Sequence, residues 1–336
     1  MSETTSAAVS RGLPGRPGGL WANRWFRFAL RRTGRLLISL WILVTASFLM
    51  IHLVPGDPVR AALGPTAPAD LVLARTRELG LLDPLWRQYA DYLVHLFHGE
   101  LGTSITSRLP VSETIAQRLP ASAQLAVAAF VVSMLVAVPV GVGMAVLTRR
   151  GRRRRTELAF TGTSVVLGAI PDFLFGVGLV YLLAVQTHVF PVAGRDGLGS
   201  YVLPVLALAI GPAAVLSRIV RVEMLAVMEA DYIRTARAKR LTPVRIHLTH
   251  ALPNAVTATL TLGGLLLSSL VAGTVLVENV FAWPGLGSTI VSSITSKDYP
   301  LVQGTVLVYG VGVLLINTLV DVALALLDPR SAIGDG

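Results

Sequence analysis

The sequence of 336 residues contains no cysteine and only two lysines, Lys239 and Lys297. Without cysteine, disulfide bonds and thiolate metal sites are excluded. A P-loop requires Gly-Lys-Ser or Gly-Lys-Thr, but Ala238 precedes the first lysine and Ser296 precedes the second. The hydrolase motif Gly-x-Ser-x-Gly and the zinc-protease motif His-Glu-x-x-His are also missing. We therefore expect no cofactor on this chain and no enzymatic activity of its own.

Charged residues are scarce, at 14% of the chain, whereas hydrophobic residues make up 53% and the mean hydropathy is +0.66. Soluble domains usually carry about 25% charged residues, so the composition indicates a membrane protein. The net charge of +10 could suggest nucleic acid as a partner. However, the basic residues cluster beside the apolar runs, as membrane topology requires, so we expect no nucleic-acid binding.

Six apolar segments are each long enough for a bilayer crossing of about 20 residues. They cover residues 36–54, 122–147, 158–185, 201–219, 255–277 and 302–327. The sequence thus predicts an all-α polytopic membrane protein with six transmembrane helices. Small residues within these segments allow close helix approach, namely Gly141, Gly143, Gly176, Gly178, Gly263 and Gly264.

The distribution of basic residues predicts the orientation of the chain. If the N-terminus is cytosolic, 21 of the 29 lysines and arginines fall on the cytosolic side, so both termini are expected there. The predicted regions are then a basic cytosolic tail, a transmembrane domain and a short C-terminal tail. An outer helical segment and an inner polar helix pair interrupt the transmembrane domain. The cytosolic tail covers residues 1–33, the transmembrane domain residues 34–330 and the C-terminal tail residues 331–336. The outer helical segment covers residues 56–121, and the inner helix pair covers residues 221–253.

The polar stretch from Glu229 to Asn254 interrupts the apolar second half of the chain and predicts two consecutive helices. Asp231 suits the N-terminal end of the first helix and Lys239 its C-terminal end. Thr242 and Pro243 then match an N-cap and a first helical residue. Pro253, at the end of the stretch, is expected to limit the second helix.

This stretch resembles the EAA loop of ABC importer permeases. The resemblance places Arg234-Thr235-Ala236 at the Glu-Ala-Ala triplet and Leu252-Pro253 at the closing Leu-Pro. The segment Arg-Thr-Ala-Arg-Ala-Lys resembles the corresponding segment of the dipeptide/oligopeptide (peptide/nickel) branch in particular. Arg240 stands where the family has glycine, which suits a left-handed turn better. Either the turn is built differently here or Arg240 makes its own contact.

Further motifs resemble the same branch in the same order, including Gly-Glu-Leu-Gly-Thr-Ser, Trp-Pro-Gly-Leu-Gly and the final Asp-Pro-Arg. The resemblance implies the permease subunit of an ATP-driven importer of di- or oligopeptides in the bacterial cytoplasmic membrane. It also implies four kinds of partner besides membrane lipid and the peptide cargo. These are a second homologous permease, two ATPase subunits, the ATP and Mg bound by those subunits, and an extracytoplasmic substrate-binding protein.

The resemblance also implies contact surfaces on this chain. Those for the ATPase are Tyr232, Arg234, Thr235, Ala236, Ala238, Arg240, Leu252 and Pro253. Those for docking of the binding protein are Gly102, Ser104, Trp283, Pro284 and Gly285. Ala236→Asp is expected to leave the protein in the membrane while transport is abolished.

Three carboxylates in or near the apolar segments are candidate residues of the translocation path or its gate. Asp172 lies near the middle of the predicted third span, where a carboxylate costs about 2.5–3.5 kcal/mol unless it faces the bundle interior or water. Pro171 before it can bend that helix. Asp172 could meet a peptide's ammonium group or bond to a neighbouring helix. Glu278 could instead be a solvated helix end, and Asp321 a packing or partner contact.

Two alternatives to the peptide importer stay open at this point. His95 and His98 are three residues apart, a spacing that could hold a metal as in a nickel permease, or they form an exposed or capping pair. His247 and His250 repeat the spacing, where packing is favoured, and no metal site is predicted. A secondary transporter driven through Asp172 would need no ATPase, but it leaves the polar stretch unexplained. The chain does not reveal the preferred peptide length.

Overall fold

A computed structural model of the chain describes residues 24–53, 58–64, 66–78, 80–151 and 153–327. Within these ranges the regular secondary structure is helical, and one isolated bridge between Thr103 and Pro110 is the only β-pairing. The first helices are α1 Arg24–Leu53, α2 Pro58–Leu63, α3 Ala69–Glu78, α4 Leu85–Phe97, α5 Val111–Thr148, α6 Arg154–Ala169 and α7 Asp172–Leu179. The others are α8 Gly199–Glu229, α9 Asp231–Ala238, α10 Pro243–Arg245, α11 Leu252–Val280, α12 Leu286–Thr295 and α13 Tyr299–Leu327. The predicted all-α class is confirmed.

Five helices are long and apolar enough to cross a membrane, namely α1, α5, α8, α11 and α13. The predicted third span is not one straight helix. It consists of α6 and of α7 with its continuation to Gln186, which meet at an angle of 95°. Ile170 and Pro171 separate the two, because proline cannot donate the backbone hydrogen bond that would continue α6. The described helices therefore give five crossings, or six if the bent pair counts as one.

Two helices begin before the apolar segments that they contain. The second predicted span, residues 122–147, is part of α5, which begins at Val111 and runs on through Pro120. Ala121 and Leu125, just beyond that proline, are fully buried, so apolar packing holds the helix together where one hydrogen bond is lost. In the same way, α1 begins at Arg24, so the residues directly before the first predicted span, 36–54, continue the same helix. The closing Asp-Pro-Arg motif and residues 331–336 lie outside the described residues.

Helix α8 lies at the centre of the bundle and packs against α5, α6, α7 and α11. The first apolar cluster of the described residues joins α5, α8 and α11, through residues such as Leu125, Ala129, Leu203, Leu208, Leu270 and Phe281. A Cβ atom added to Gly141 of α5 would lie 2.6 Å from the carbonyl oxygen of Ser217 of α8. Glycine is therefore required there for the close approach of the two helices. Gly176, Gly263 and Gly264 also face packed side chains, whereas Gly143 and Gly178 have open space.

Helices α1 and α13 pack against each other. Helices α3 and α4 lie within residues 56–121, for which a helical segment was predicted, and α4 rests on α1 through aromatic contacts. The Phe48 ring of α1 lies 5.1 Å from that of Tyr89 and 5.7 Å from that of Tyr92. Burial is the main cause that raises the pKa of Tyr92 above its ordinary value of 10.0.

Candidate functional site

The polar stretch after α8 forms two short helical elements, as predicted. Ala230 is extended and separates α8 from α9, and α10 then begins at Pro243 behind its N-cap position Thr242. The end of the second element was predicted wrongly. It continues through a π-helical segment, Ile246–Ala251, directly into α11, with Pro253 in the first turn of α11. Proline has no N–H, so one backbone hydrogen bond is missing where the π-helical segment joins α11.

One face of α9 is buried against the bundle. Ile233 is 0% and Ala236 7% exposed. They belong to an apolar cluster with Ala145, Met224, Met228, Ile246, Ala251 and Ala255. The Arg237 guanidinium also donates a 2.9 Å hydrogen bond to the carbonyl oxygen of Met228 near the end of α8. Helix α9 thus packs against α5, α8 and α11.

The opposite face of α9 is exposed. Tyr232 is 46% exposed, and Arg234, Thr235 and Ala238 are exposed as well. The α9 residues that were predicted to contact the ATPase therefore lie on two different faces of that helix. Ala236 points into the bundle, while the other predicted residues of α9 point away from it. Of the two remaining positions on α11, Leu252 is half-buried and Pro253 exposed.

Arg240 occupies a left-handed turn, with φ of 56°. Its N–H donates to the carbonyl oxygen of Arg237 (2.9 Å), and the N–H of Leu241 donates to that of Ala236 (3.3 Å). These two bonds are those of a Schellman motif, which normally has glycine at the left-handed position. The turn is therefore built as a glycine would build it, although arginine stands there. The alternative of a turn that is built differently was therefore wrong.

The histidines near this turn and on α4 have separate surroundings. Burial, followed by the charges of Arg149 and Arg237, lowers the pKa of His247 below its ordinary value of 6.5. On α4, His95 Nδ1 pairs with Glu100 (2.7 Å), and His98 Nδ1 lies 2.8 Å from the carbonyl oxygen of Val94. Among the described residues, no group of three or more His, Asp or Glu residues is arranged to hold a metal.

At the other end of the bundle, Glu278 is 0% exposed, so the alternative of a solvated helix end was wrong. Its carboxylate accepts hydrogen bonds from the Ser122 hydroxyl (2.6 Å) and the N–H of Ser288 (3.0 Å). The Ser122 oxygen in turn accepts from the N–H of Leu286 (2.8 Å). Glu278 therefore ties α5, α11 and the start of α12 together.

A second buried carboxylate, Asp298, holds the far end of α12. It accepts hydrogen bonds from the Ser104 hydroxyl (2.5 Å) and from the N–H groups of Ile105 (3.1 Å) and Thr106 (3.2 Å). Sequence reasoning missed this role. The available signal was an aspartate directly before the helix that starts at Tyr299, since aspartate is a preferred N-cap residue.

These two networks involve the residues that were predicted to dock a binding protein. Ser104 and Trp283 are 0% exposed, and the Trp283 indole donates to the carbonyl oxygen of Ala121 (3.1 Å). Gly285 is also buried, whereas Pro284 is half-buried and Gly102 exposed. In this conformation Ser104 and Trp283 have no exposed surface to offer a partner. Both side chains lie beneath the exposed surface.

Asp172 begins α7, at the bend of the third predicted span. Cβ atoms added to Gly211 and Gly273 would lie 3.5 and 3.0 Å from its carboxylate oxygens, so the carboxylate fills the space that these glycines leave on α8 and α11. Within the described part of the chain, its carboxylate has neither a hydrogen-bond nor an ion-pair partner. Asp321, by contrast, pairs with Arg32 of α1, which favours the packing role.

Two protein families match this sequence. The family "Binding-protein-dependent transport system inner membrane component" matches residues 137–333. "Binding-prot-dependent transport system membrane comp, N-term" matches residues 25–126. Together these ranges cover nearly all of the chain between residues 25 and 333.

Curated relatives agree with the family matches, and a solved structure shares the fold. The glutathione transport system permease protein GsiC of Salmonella choleraesuis (strain SC-B67) is 37% identical over 90% of this chain and 97% of that protein. The dipeptide transport system permease protein DppB of Escherichia coli (strain K12) is 36% identical over 90% and 98%. An inward-facing structure of the MetNI methionine ABC transporter is 17% identical over 64% of this chain and 96% of that chain, with a TM-score of 0.55. At that identity the likeness shows the fold alone.

Proposed function

The chain belongs to the family of binding-protein-dependent transport system inner membrane components, and from this premise we propose that it is the permease subunit of an ATP-driven importer of di- or oligopeptides. The peptide cargo is inferred from two relatives, one named for glutathione and one for dipeptide transport, which each align with 90% of the chain. In this proposal the chain performs no chemistry. It forms part of the path and responds to an ATPase on other chains.

The observation that carries the coupling mechanism is the division of α9 into two faces. Ile233 and Ala236 fix the helix to the bundle, while Tyr232, Arg234 and Thr235 are exposed on its other face. A helix held in this way moves as a rigid body when a partner grips its outer face. The movement is then transmitted to α5, α8 and α11, which biases the bundle between two states.

The orientation and the partners follow from the same assignment. The end of the bundle with α9 is placed in the cytosol with the N-terminus, facing two ATPase subunits that bind ATP and Mg. A second, homologous permease completes the path within the bacterial cytoplasmic membrane. The end with α12 faces an extracytoplasmic binding protein, and Gly102 and Pro284 are the predicted docking residues with exposed surface.

Asp172 is the proposed residue of the path. Its carboxylate has no partner among the described residues and lies where the third span bends, against Gly211 and Gly273. The ammonium group of a peptide would supply the missing partner. Glu278 and Asp321 already have internal partners, so we assign them to holding the helices in place.

The absence of cysteine allows a direct test of the coupling contact. Tyr232→Cys places a single thiol on the exposed face of α9, and Ile233→Cys places one on the buried face beside it. With a short thiol crosslinker in native membranes, the first variant is expected to capture a P-loop ATPase and the matched control is not. Equal capture by both variants, or capture by neither, would contradict the contact.

The cargo needs a separate experiment. The complex is purified in mild detergent, its subunits are identified by mass spectrometry, and uptake of di- and oligopeptides and of Ni²⁺ is measured in proteoliposomes. ATP-dependent peptide uptake that falls in Asp172→Asn supports the proposal. Uptake of Ni²⁺ alone would favour the nickel alternative, and transport by the isolated chain driven by an ion gradient would favour the secondary transporter.

A further inference from the structure

Three consecutive arginines, Arg153, Arg154 and Arg155, lie at the start of α6. Arg153, Arg154 and Arg155 are exposed, and no carboxylate among the described residues lies within 4.0 Å of their charged groups. The acidic side chain in the first turn of α6 is Glu157, which pairs with Arg221 of α8 at 2.6 Å. Three guanidinium groups are therefore available to an external anion.

The local backbone adds to this positive charge. Arg153 has φ of 54° at the N-cap of α6, with no side-chain cap, and Arg154 and Arg155 fill the first turn. The backbone N–H groups of that turn have no helical acceptors, and the helix dipole is positive there. Arginine at this end opposes the usual placement of charge, so a bound anion would relieve repulsion as well as form hydrogen bonds.

The exposed face of α6 that continues from these arginines is apolar. Leu158 is 62%, Val165 49% and Val166 59% exposed, and Ala169 at the end of the helix is exposed as well. The opposite face packs on α8, where a Cβ added to Gly168 would lie 2.9 Å from Val215. From Leu158 to Ala169 the helix rises about 16 Å. This is close to one leaflet of a bilayer core of about 30 Å.

We propose that this face of α6 is a binding site for an anionic phospholipid, with the phosphate held by Arg153, Arg154 and Arg155 and the acyl chains lying along the apolar face up to the bend before Pro171. Three features of the structure fit the phosphate and the acyl chains of one lipid molecule. The guanidinium fork matches phosphate oxygens, the apolar face starts one turn from Arg154, and α6 ends after one leaflet. A water-soluble anion would use only the first of these features.

The test compares the full-length chain, purified with the partners it retains, in nanodiscs of phosphatidylcholine with and without phosphatidylglycerol. Tightly bound lipid is measured by mass spectrometry for the wild type, for R153Q/R154Q/R155Q and for the charge-matched control R77Q/R87Q/R118Q on the proposed outer side. Each arginine near a membrane surface contributes about fivefold to anionic-lipid affinity, so we expect roughly 100-fold weaker retention in the first variant and no change in the control.

The other outcomes overturn the proposal. Equal retention of phosphatidylglycerol in all three proteins shows that the arginines do not hold lipid. Displacement of the lipid by millimolar glycerol 3-phosphate shows a simple anion site without use of the apolar face. Unchanged lipid retention with loss of the ATPase subunits from R153Q/R154Q/R155Q assigns the arginines to a protein contact instead. Thermal unfolding in phosphatidylcholine alone verifies that the variants are folded.

Discussion

The two ends of the helix bundle are held together in different ways. At the α12 end, two fully buried carboxylates, Glu278 and Asp298, bind hydroxyl and backbone N–H groups from segments far apart in sequence. At the α9 end, Ile233 and Ala236 pack among methionine and alanine side chains, and one hydrogen bond from Arg237 joins α9 to α8.

This difference has a physical consequence for motion. A buried carboxylate that loses one partner leaves charged and polar groups unsatisfied, so the α12 end is stable in one arrangement only. Contacts among small and flexible apolar side chains are less directional and tolerate small shifts. The α9 end therefore suits transmission of movement, and the α12 end suits a fixed outer surface.

The largest effect is expected from removing a buried carboxylate. Glu278→Ala leaves the Ser122 hydroxyl and the Ser288 N–H without their acceptor, which should lower the free energy of unfolding by about 3 kcal/mol. Thermal unfolding of the purified protein in detergent measures this change. Glu229→Ala, an exposed position at the end of α8, is the control and should unfold like the wild type. Equal unfolding of both variants would break the distinction between the two ends.

The next prediction separates the two faces of α9. Ala236→Asp buries a carboxylate in the apolar cluster, so we expect a loss of about 2 kcal/mol, release of α9 from the bundle and no transport. Ala238→Asp, on an exposed position, should stay within about 0.5 kcal/mol of the wild type and lower transport only through the ATPase contact. Limited proteolysis of residues 229–254 and peptide uptake distinguish the two. Equal protease resistance would show that Ala236 is not a packing residue.

A smaller effect, an increase in stability, is expected from a substitution at the left-handed turn. Arg240→Gly removes strain of about 1–2 kcal/mol but increases the freedom of the unfolded chain, for a net gain of about 1 kcal/mol. Arg234→Gly, in the regular part of α9, should instead destabilise the helix by about 1 kcal/mol. Thermal midpoints of both variants test the difference in sign. Reduced transport in a more stable Arg240→Gly would show that the arginine contacts the ATPase.

The smallest effect concerns pH at the α9 end. Since the pKa of His247 is lowered in the folded protein, the neutral form is favoured there. Its contribution to stability is complete above the ordinary value of 6.5 and declines as pH falls below that value towards the lowered one. Protease protection of α9 and α10 should therefore fall between about pH 7.5 and 5.5, and His247→Gln should flatten the change. An equally steep decline in the variant would assign it to other groups.

Local patterns predicted much of this fold. The apolar runs gave the membrane helices, and the charges around the polar stretch gave α9 and its neighbour. The bend at Pro171 was expected, but its angle of 95° depends on packing against α8 and α11. The inward direction of Ala236 was readable from its spacing to Ile233, since residues three apart share a helix face.

Hydrogen bonds between residues far apart in the sequence could not be predicted from local patterns. Glu278 and Ser122 are 156 residues apart, and Asp298 and Ser104 are 194 apart. Each partner alone is an ordinary polar residue, and only the packed bundle brings the pairs together. For the same reason Ser104 and Trp283 were assigned to an outer contact, although the bundle buries both.

Hydrogen exchange of the assembled importer, with and without a non-hydrolysable ATP analogue, tests the difference between the two ends most directly. The account predicts that amide protection changes in residues 231–251 when the ATPase closes, while residues 278–301 stay equally protected in both states. A larger change in residues 278–301 than in residues 231–251 would contradict it, because the end held by Glu278 and Asp298 would then be the one that moves.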